Sequence, residues 1–377
     1  MRVLDKNDPN YRQCSISVMD NIADPDITFD KNGICNYYYE YLEAEKQHVF
    51  KDKSGEKKYN EIMAQIKADG KGKKYDCVLG VSGGVDSTYL AYLAKETGLR
   101  VLCVHFDNGW NSEVAVKNIQ NIVDKCEFDL FTYVIDWEEF RDIQLSYFKA
   151  NVIDIEAVTD IAIFSALDII CKQQGIKHII DGRNVVTEVT LPQAWICKNT
   201  SNLRDIHKRF GTRKLKVYPL MSPLRRRIVA ISKPFQSWPL LNYTVYNKEI
   251  AKQIIVKELS WKDYGGKHYE SVFTRFYQGY ILPTKFKVDK RKAHLSNLIF
   301  SGQISKEDAL AELTQPIYPD SVFEHDLQFV LKKLGFTKEE FNAYLNAPAV
   351  PHSKYELSLS IFDEYPVLKP LKSLFKK

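Results

Sequence analysis

Short apolar runs alternate with amphipathic stretches between residues 75 and 180. The four apolar runs are residues 77–81, 100–106, 130–135 and 178–180. Runs of this length and composition are typical of buried strands in a parallel sheet. The stretches with helical periodicity are residues 85–97, 112–125, 138–148 and 156–174. The regular alternation predicts an α/β fold built on a doubly wound parallel sheet.

The segments on either side of this alternating region have different patterns. Residues 24–33 are acidic and turn-rich, and a lysine-rich stretch with a predicted helix at residues 59–68 follows. Beyond about Ile228 helical signals dominate, among them capping patterns that begin at Ser305 and Thr337. We therefore predict three regions: an N-terminal segment at 1–74, the sheet domain at 75–230 and a helical C-terminal region at 231–377.

Composition narrows the class of protein. The 377 residues are 45% hydrophobic and 27% charged, which suffices for a large core. The formal net charge of +5 is small for this length and argues against a basic nucleic-acid-binding stripe. The seven cysteines are scattered, several of them within apolar runs, as expected for reduced thiols in a cytoplasmic protein. No apolar run is long enough to span a bilayer, and no cleavable signal pattern opens the chain, so we expect no membrane association.

The most informative motif is the hexapeptide SGGVDS, which lies between the first predicted strand and the first helix after it. Glycine allows the backbone to approach an anion closely, and the positive end of the following helix points at the same place. We predict that Ser82, Gly83, Gly84 and Ser87 bind phosphate groups. Asp86 supplies a carboxylate suited to a magnesium ion that bridges those phosphates.

Two further polar turns follow predicted strands. Asp107 lies after the second strand, and Gly182, Arg183 and Asn184 lie after the fourth. Ligands of open α/β sheets bind beyond the carboxyl ends of the strands, so we assign these residues to the same nucleotide site as the hexapeptide. Alone, each turn has an equally plausible interpretation as a surface loop.

The hexapeptide resembles the PP-loop of the N-type ATP pyrophosphatases, the superfamily fold also described as adenine nucleotide α-hydrolase-like. Longer segments add to this likeness. They are residues 24–36, 182–188, 261–283 and 285–302. Together these segments resemble the N-acetyl sugar amidotransferases of bacterial lipopolysaccharide and flagellin-sugar biosynthesis, over residues from about 14 to 319.

The resemblance implies a reaction. ATP would adenylate the amide oxygen of a nucleotide-linked N-acetyl sugar, with release of pyrophosphate. Ammonia would then displace AMP and convert the acetamido group to an acetamidino group. Adenylation gives a poorly electrophilic amide a good leaving group. The implied cofactors are ATP and magnesium, and the implied partners are a glutaminase subunit and its cyclase-like companion, which supply ammonia.

The resemblance also suggests residues that complete the site. Cations that meet the charge of departing pyrophosphate are sought among Lys262, Lys267, Arg275, Lys290 and Arg291. Of these, Lys267, Lys290 and Arg291 join Asp86 as the predicted catalytic residues. The predicted substrate-binding residues are Asp160, Glu188, His268 and His294. A charge run such as residues 289–292 is otherwise typical of a solvated surface.

The chain departs from the family pattern at its N-terminal end. Two CxxC pairs are usual there, but here Cys14 is followed by Ser17 and Cys35 by Tyr38. Four thiolates complete a tetrahedral zinc site, so with two we expect zinc binding to be weak or absent. Two alternative functions stay open: another PP-loop ligase of the tRNA-thiolating or NAD-synthetase-like type, and a non-catalytic nucleotide-binding scaffold. The absence of any CxxC pair argues against thiolation.

Overall fold

A five-stranded parallel sheet organises the molecule. The computed structural model describes residues 7–232, 234–266, 269–318 and 320–357. The strands are β1 (Cys77–Gly80), β2 (Val101–Asp107), β3 (Asp129–Val134), β4 (His178–Asp181) and β5 (Gln236–Pro239), in the spatial order β3-β2-β1-β4-β5. All four neighbouring pairs are parallel. The predicted α/β fold with a doubly wound parallel sheet is confirmed.

Helices surround the sheet and form most of the remainder. Within the described residues the α-helices are α1 (Asn36–His48), α2 (Lys53–Asp69), α3 (Val85–Glu96), α4 (Glu113–Cys126), α5 (Trp137–Ala150), α6 (Ala157–Gln174), α7 (Val185–Glu188), α8 (Thr200–Phe210), α9 (Pro223–Ser232), α10 (Lys248–Leu259), α11 (Val272–Phe276), α12 (Arg291–Phe300), α13 (Lys306–Thr314), α14 (Asp320–Leu334) and α15 (Lys338–Asn346). A π-helix at Tyr277–Phe286 continues α11. The helical C-terminal region is also confirmed.

The two faces of the sheet bury alternate residues of its strands. On β1, Cys77 and Leu79 pack with residues of α2, α3, α4 and α10, whereas Val78 packs with residues of α6. This alternation follows from the strand geometry, in which successive side chains point to opposite faces. Helices therefore cover both faces, and the carboxyl edge of the strands is the position at which loops meet.

The N-terminal segment and the C-terminal helices share the largest core, which lies beside the sheet. Lys306 of α13 donates to the carbonyl of Cys14 at 2.7 Å, and Trp195 donates to the carbonyl of Ala23 at 3.0 Å. Lys292 of α12 pairs with buried Asp20. The N-terminal segment thus packs against α12 and α13. Within the described residues, no helix combines the length and the apolar character needed to cross a membrane.

Candidate active site

The loop between β1 and α3 has the form of an anion cradle. Gly83 has a left-handed backbone with φ +79°. Gly84 occupies the N-cap position of α3 without a side-chain capping bond, and Thr88 Oγ1 donates to its carbonyl at 2.7 Å. Ser82 is exposed, and its Oγ accepts the Gly84 amide at 3.2 Å. The uncapped first turn of α3 leaves amide groups and the positive helix end available to phosphate.

Residues distant in sequence support this cradle from behind. The indole of Trp261 donates to the carbonyl of Gly83 at 2.8 Å. Asn118 of α4 donates to the carbonyl of Lys262 and accepts the Lys262 amide, both at 2.8 Å. These contacts fix the backbone at residues 261–262 against the loop. The sequence interpretation had treated Lys262 as a candidate cation and had not identified Trp261 or Asn118.

Asp86 lies on the first turn of α3 and is held from two sides. Tyr246 donates a hydrogen bond to Asp86 Oδ1. Burial, and then the charge of Asp86, raise the pKa of the Tyr246 hydroxyl, so this group stays a proton donor. A Cβ atom added to Gly182 would lie 3.1 Å from the Asp86 Cβ. Asp86 is thereby oriented beside the cradle and fits the role of a magnesium ligand, where the ion would neutralise phosphate charge.

A tyrosine and a carboxylate line the other side of the cradle. A Cβ atom added to Gly84 would lie 3.1 Å from Ser82 Oγ, 3.4 Å from Tyr264 Oη and 3.9 Å from Glu270 Oε1. Burial, and then Glu270, raise the pKa of Tyr264. Only glycine leaves space at this point for a ligand to approach the backbone.

The turn after β2 lies beside the cradle. His105 Nδ1 is 3.3 Å from the carbonyl of Val81, and its Nε2 is 3.1 Å from Asn111 Nδ2, which requires the tautomer protonated at Nδ1. Burial lowers the pKa of His105, so the ring is neutral at pH 7. Asp107 accepts from Asn111 at 3.2 Å and from the Gly109 amide at 2.8 Å. These two hydrogen bonds orient the carboxylate of Asp107, which the sequence assigned to the nucleotide site.

The C-terminal region contacts the same turn through Lys333 of α14. Its ammonium group lies 4.7 Å from the ring centroid of Trp110 and 4.6 Å from that of Trp137, and it donates to the carbonyl of Gly109. Burial lowers the pKa of Lys333. Cation–π contacts of this kind stabilise a partly desolvated ammonium group. Lys333 therefore links α14 to the loop that follows β2.

The turn after β4 positions the residues predicted there. Arg183 donates to both carboxylate oxygens of Asp181, at 2.8 and 2.9 Å, and to Ser237 of β5 at 3.1 Å. Asn184 caps α7, because its Oδ1 accepts the Thr187 amide at 2.8 Å. Glu188 ends α7, and its charge acts on Arg183. Gly182 lies against the first turn of α3, because a Cβ atom added to it would be 3.3 Å from the Ser87 amide nitrogen.

The start of α6 brings further charge towards this edge. Asn108, which follows β2, donates to Thr159 Oγ1 at 3.3 Å. The next residue, Asp160, pairs with Lys198 at 2.9 Å. Burial acts to lower the pKa of Lys198, but the Asp160 carboxylate outweighs it and the pKa rises. Lys198 is a partly exposed cation that the sequence interpretation missed, because only its distance to Asp160 in the fold distinguishes it from other lysines.

Lys290 and Arg291 occupy different environments. Lys290 Nζ is 3.7 Å from Glu156 Oε2, just before α6. Arg291 pairs with Asp289 at 2.9 Å and donates to the carbonyls of Glu312 and Gln315, at 3.2 and 2.9 Å. Arg291 therefore joins the start of α12 to the end of α13. Lys290 instead lies in a charged group at the start of α6, which also contains Glu156, Asp160 and Lys198.

The remaining predicted residues are dispersed. Arg275 pairs with buried Asp326 at 2.6 Å, within the C-terminal helices. His294 lies on α12. Lys267 and His268 lie outside the described residues.

Cys14 and Cys35 lie together inside the N-terminal segment. The Cys35 amide donates to Cys14 Sγ at 3.3 Å, and Ser17 Oγ is 3.9 Å from Cys35 Sγ. The hydrogen bond from the Cys35 thiol lowers the pKa of Cys14 to about 5. In the part of the chain that the structure describes, no group of three or more His, Cys, Asp or Glu side chains forms a metal site. Weak or absent zinc binding stays a prediction.

Comparisons with known families agree with this geometry. A family model for the queuosine biosynthesis protein QueC matches residues 76–221, which include the cradle and the first four strands. Residues 76–221 therefore resemble the PP-loop ATP-utilising proteins to which this family model belongs. A second model, for the C-terminal domain of WbpG-like lipopolysaccharide biosynthesis proteins, matches residues 270–366. The QueC-like part of the chain is therefore followed by a region that resembles proteins of lipopolysaccharide biosynthesis.

Individual relatives share different proportions of the chain. An uncharacterised protein of Methanocaldococcus jannaschii is 26% identical over 71% of this chain and 82% of its own length. A tRNA(Ile)-lysidine synthase of Chlamydia muridarum is 27% identical, over 42% of this chain and 48% of its own. A 7-cyano-7-deazaguanine synthase of Methanoculleus marisnigri is 38% identical over 22% of this chain and 37% of its own. The chain thus spans less than half of the last two proteins.

Solved structures with some likeness include two synthetases. An NMN synthetase from Francisella tularensis has a TM-score of 0.33 and 15% identity, over 68% of this chain and 91% of its own. An NH3-dependent NAD synthetase from Campylobacter jejuni has a TM-score of 0.29 and 14% identity, over 41% of this chain and 72% of its own. The likeness to PP-loop proteins rests on the sheet, the cradle and the family match.

Proposed function

We propose that the chain is an ATP-dependent amidotransferase that converts the acetamido group of an N-acetyl sugar into an acetamidino group. ATP is cleaved between the α and β phosphates, and the sugar amide oxygen is adenylated. Ammonia then adds to the activated carbon, and AMP leaves with the former amide oxygen. The sugar is carried by a nucleotide, and the product serves bacterial surface-polysaccharide synthesis.

One observation carries this proposal. The segment matched to lipopolysaccharide biosynthesis begins at Glu270, and this segment forms part of the wall of the nucleotide site. The Ser112 amide donates to the carbonyl of Glu270, and the Val272 amide to that of Trp110, both at 2.8 Å. The Glu270 side chain also faces Gly84 of the cradle. The region that resembles sugar-pathway proteins therefore contacts the site at which ATP would react, as a substrate-selecting region must.

The charged group at the start of α6 supports a polar, oxygen-rich substrate. Lys198 and Lys290 are paired with Asp160 and Glu156, so two ion pairs lie in this part of the molecule. Sugars are bound mainly by hydrogen bonds to such charged groups, which are stronger than hydrogen bonds between neutral groups. We assign sugar binding to Asp160 and its neighbours.

Ammonia is proposed to come from a separate glutaminase and its cyclase-like companion in the cytoplasm. The described residues contain seven cysteines, six of them buried and Cys197 half-buried. A glutaminase nucleophile needs an accessible, activated thiolate, and burial and the Asp154 charge instead raise the pKa of Cys197 to about 11. A ligase of the NAD-synthetase-like or tRNA-modifying type is an alternative to the amidotransferase. It would use the same cradle with a different second substrate.

The direct test is product analysis. The purified chain is incubated with ATP, magnesium, isotopically labelled ammonium and a panel of N-acetylated nucleotide sugars, followed by mass spectrometry. We expect one sugar to exchange its amide oxygen for labelled nitrogen, with one AMP formed per product. The matching nucleotide sugars with a free amine in place of the acetamido group serve as controls. AMP formation that is equally fast with the free-amine controls, with no labelled nitrogen in any sugar, would contradict the proposal.

A further inference from the structure

Tyr264 places a hydroxyl group at the wall of the cradle. Its Oη lies 3.4 Å from the position that a Cβ atom on Gly84 would occupy, and Ser82 Oγ lies 3.1 Å from the same position. Gly84 is the N-cap residue of α3, and because it has no Cβ atom this position stays open to a ligand. A phosphate group bound at the first turn of α3 would therefore meet the Tyr264 hydroxyl.

The position of the Tyr264 ring is fixed relative to the loop. Its centroid lies 5.5 Å from that of Trp261, edge to face with an interplanar angle of 71°, which is a favourable arrangement of two aromatic rings. The indole of Trp261 in turn donates to the carbonyl of Gly83 at 2.8 Å. The preceding residue, Asp263, pairs with Lys252 of α10 at 2.5 Å. The hydroxyl is therefore oriented before any ligand binds.

The Tyr264 hydroxyl is a proton donor at neutral pH. Burial, and then the charge of Glu270, raise its pKa, and a hydrogen bond to Glu270 acts in the same direction. Glu270 Oε1 lies 3.9 Å from the Cβ position on Gly84, so both side chains border the same space. Rotation about the bond between the ring and the oxygen turns the proton from Glu270 towards the cradle without moving the ring.

Two of the cations that the sequence suggested for this position are engaged in ion pairs with other residues. Arg275 and Arg291 each pair with a carboxylate of the C-terminal region, at 2.6 and 2.9 Å. In the described part of the chain, the three heavy atoms nearest to the Cβ position on Gly84 belong to two hydroxyl groups and one carboxylate. A neutral hydroxyl thus lies where the sequence interpretation had sought positive charge.

Building on the proposed adenylation, we propose that the Tyr264 hydroxyl is a catalytic group that donates a hydrogen bond to the pyrophosphate portion of ATP. The sugar amide oxygen forms a bond to the α-phosphorus while the bond from that phosphorus to the bridging oxygen breaks, and its electron pair leaves with pyrophosphate. The hydroxyl keeps its proton throughout. Its hydrogen bond strengthens as negative charge accumulates on the leaving group. Tyr264 therefore recognises the part of the nucleotide that departs.

Calorimetric titration tests the contact without any sugar. The full chain and Tyr264→Phe are titrated separately with ATP, pyrophosphate and AMP in the presence of magnesium. Phenylalanine keeps the ring against Trp261, so the variant lacks one oxygen atom. We expect Tyr264→Phe to weaken the binding of ATP and of pyrophosphate about tenfold and to leave AMP binding unchanged. Tyr92→Phe, the same substitution further along α3, is the matched control and should bind all three as the wild type does. An equal loss for AMP, or no loss for pyrophosphate, would overturn the assignment.

A second variant distinguishes the hydroxyl from its carboxylate partner. Glu270→Gln keeps the Tyr264 hydroxyl and removes a negative charge that repels phosphate, so it should bind ATP at least as tightly as the wild type. A loss of ATP affinity as large as that in Tyr264→Phe would show that the hydroxyl acts only by positioning Glu270, and would overturn the assignment.

Pyrophosphate–ATP exchange separates this inference from the proposed function. Tyr264→Phe should lower the exchange rate at saturating ATP as well as raise the KM for ATP, while its thermal midpoint stays near that of the wild type. Exchange and ATP binding that are both normal in Tyr264→Phe would reject the role of the hydroxyl and leave the amidotransferase proposal intact. A wild type that binds ATP but catalyses no exchange with any N-acetylated nucleotide sugar would instead contradict the proposed function.

Discussion

Replacing Gly83 with alanine should damage the cradle in a measurable way. Gly83 has φ +79°, and a Cβ atom there would lie 2.7 Å from the Ala115 carbonyl oxygen and 3.2 Å from the Ala115 Cα. The left-handed backbone costs a non-glycine residue about 1–2 kcal/mol. The overpacking costs about 1–3 kcal/mol, because the obstructing atoms belong to the backbone of α4. Gly83→Ala should therefore lower the free energy of unfolding by about 2–5 kcal/mol.

Gly72 provides a matched control. It has nearly the same backbone, φ +76°, but nothing lies within 4 Å of an added Cβ atom. Gly72→Ala should thus show the backbone cost alone, about 1–2 kcal/mol. The difference between the two variants isolates the contact with Ala115.

The assay combines urea denaturation with calorimetric titration of ATP in the presence of magnesium. Gly83→Ala should be the less stable variant and should bind ATP much more weakly, because relief of the contact moves the cradle. Gly72→Ala should bind ATP as the wild type does. If Gly83→Ala is no less stable than Gly72→Ala and binds ATP normally, the loop geometry described above is wrong.

Three further predictions address the cradle, the C-terminal core and pH. Gly84→Ala should fold normally, since φ is −75°, but should weaken ATP binding at least tenfold as judged by calorimetry; unchanged affinity would remove Gly84 from the phosphate site. Arg275→Met removes the guanidinium from the buried Asp326 carboxylate, which keeps its hydrogen bond from Tyr318, and should cost about 3–5 kcal/mol in urea denaturation; a loss under 1 kcal/mol would show that the ion pair contributes little. Burial lowers the pKa of His352 from 6.5 to about 4, so the unfolded chain binds the extra proton; stability is complete above pH 6.5 and falls by up to about 3 kcal/mol towards pH 4, a loss that His352→Gln should reduce.

The sheet was largely predictable because its strands are local apolar runs. The four predicted strands correspond to β1 through β4. β5 was missed because its sequence, QSWP, has no apolar run and ends in proline, and only its pairing with β4 at the sheet edge makes it a strand. β5 also lies beyond residue 230, at which the sequence had placed a domain boundary; that boundary stays a prediction. α1 was missed because its tyrosine-rich start gave no clear period.

The candidate site was predictable where its chemistry is local. The hexapeptide SGGVDS predicts an anion-binding loop because it contains two glycines and lies between a strand and a helix. The groups that orient it come from far along the chain: Trp261 donates to Gly83, and Tyr246 to Asp86. Lys198 carries no local signal either, since its pairing with Asp160 is a property of the fold. Sequence patterns identify residues that act through the backbone near them, and long-range partners emerge only from packing.

The central claim is that this cradle directs adenylation of a sugar amide. Pyrophosphate–ATP exchange tests it most directly: labelled pyrophosphate is added with ATP, magnesium and an N-acetylated nucleotide sugar, and label in ATP is measured. The account predicts exchange that depends on the acetamido group, proceeds without ammonium and disappears in Asp86→Ala. Formation of ADP and orthophosphate instead, or exchange that is indifferent to the acetamido group, would contradict it.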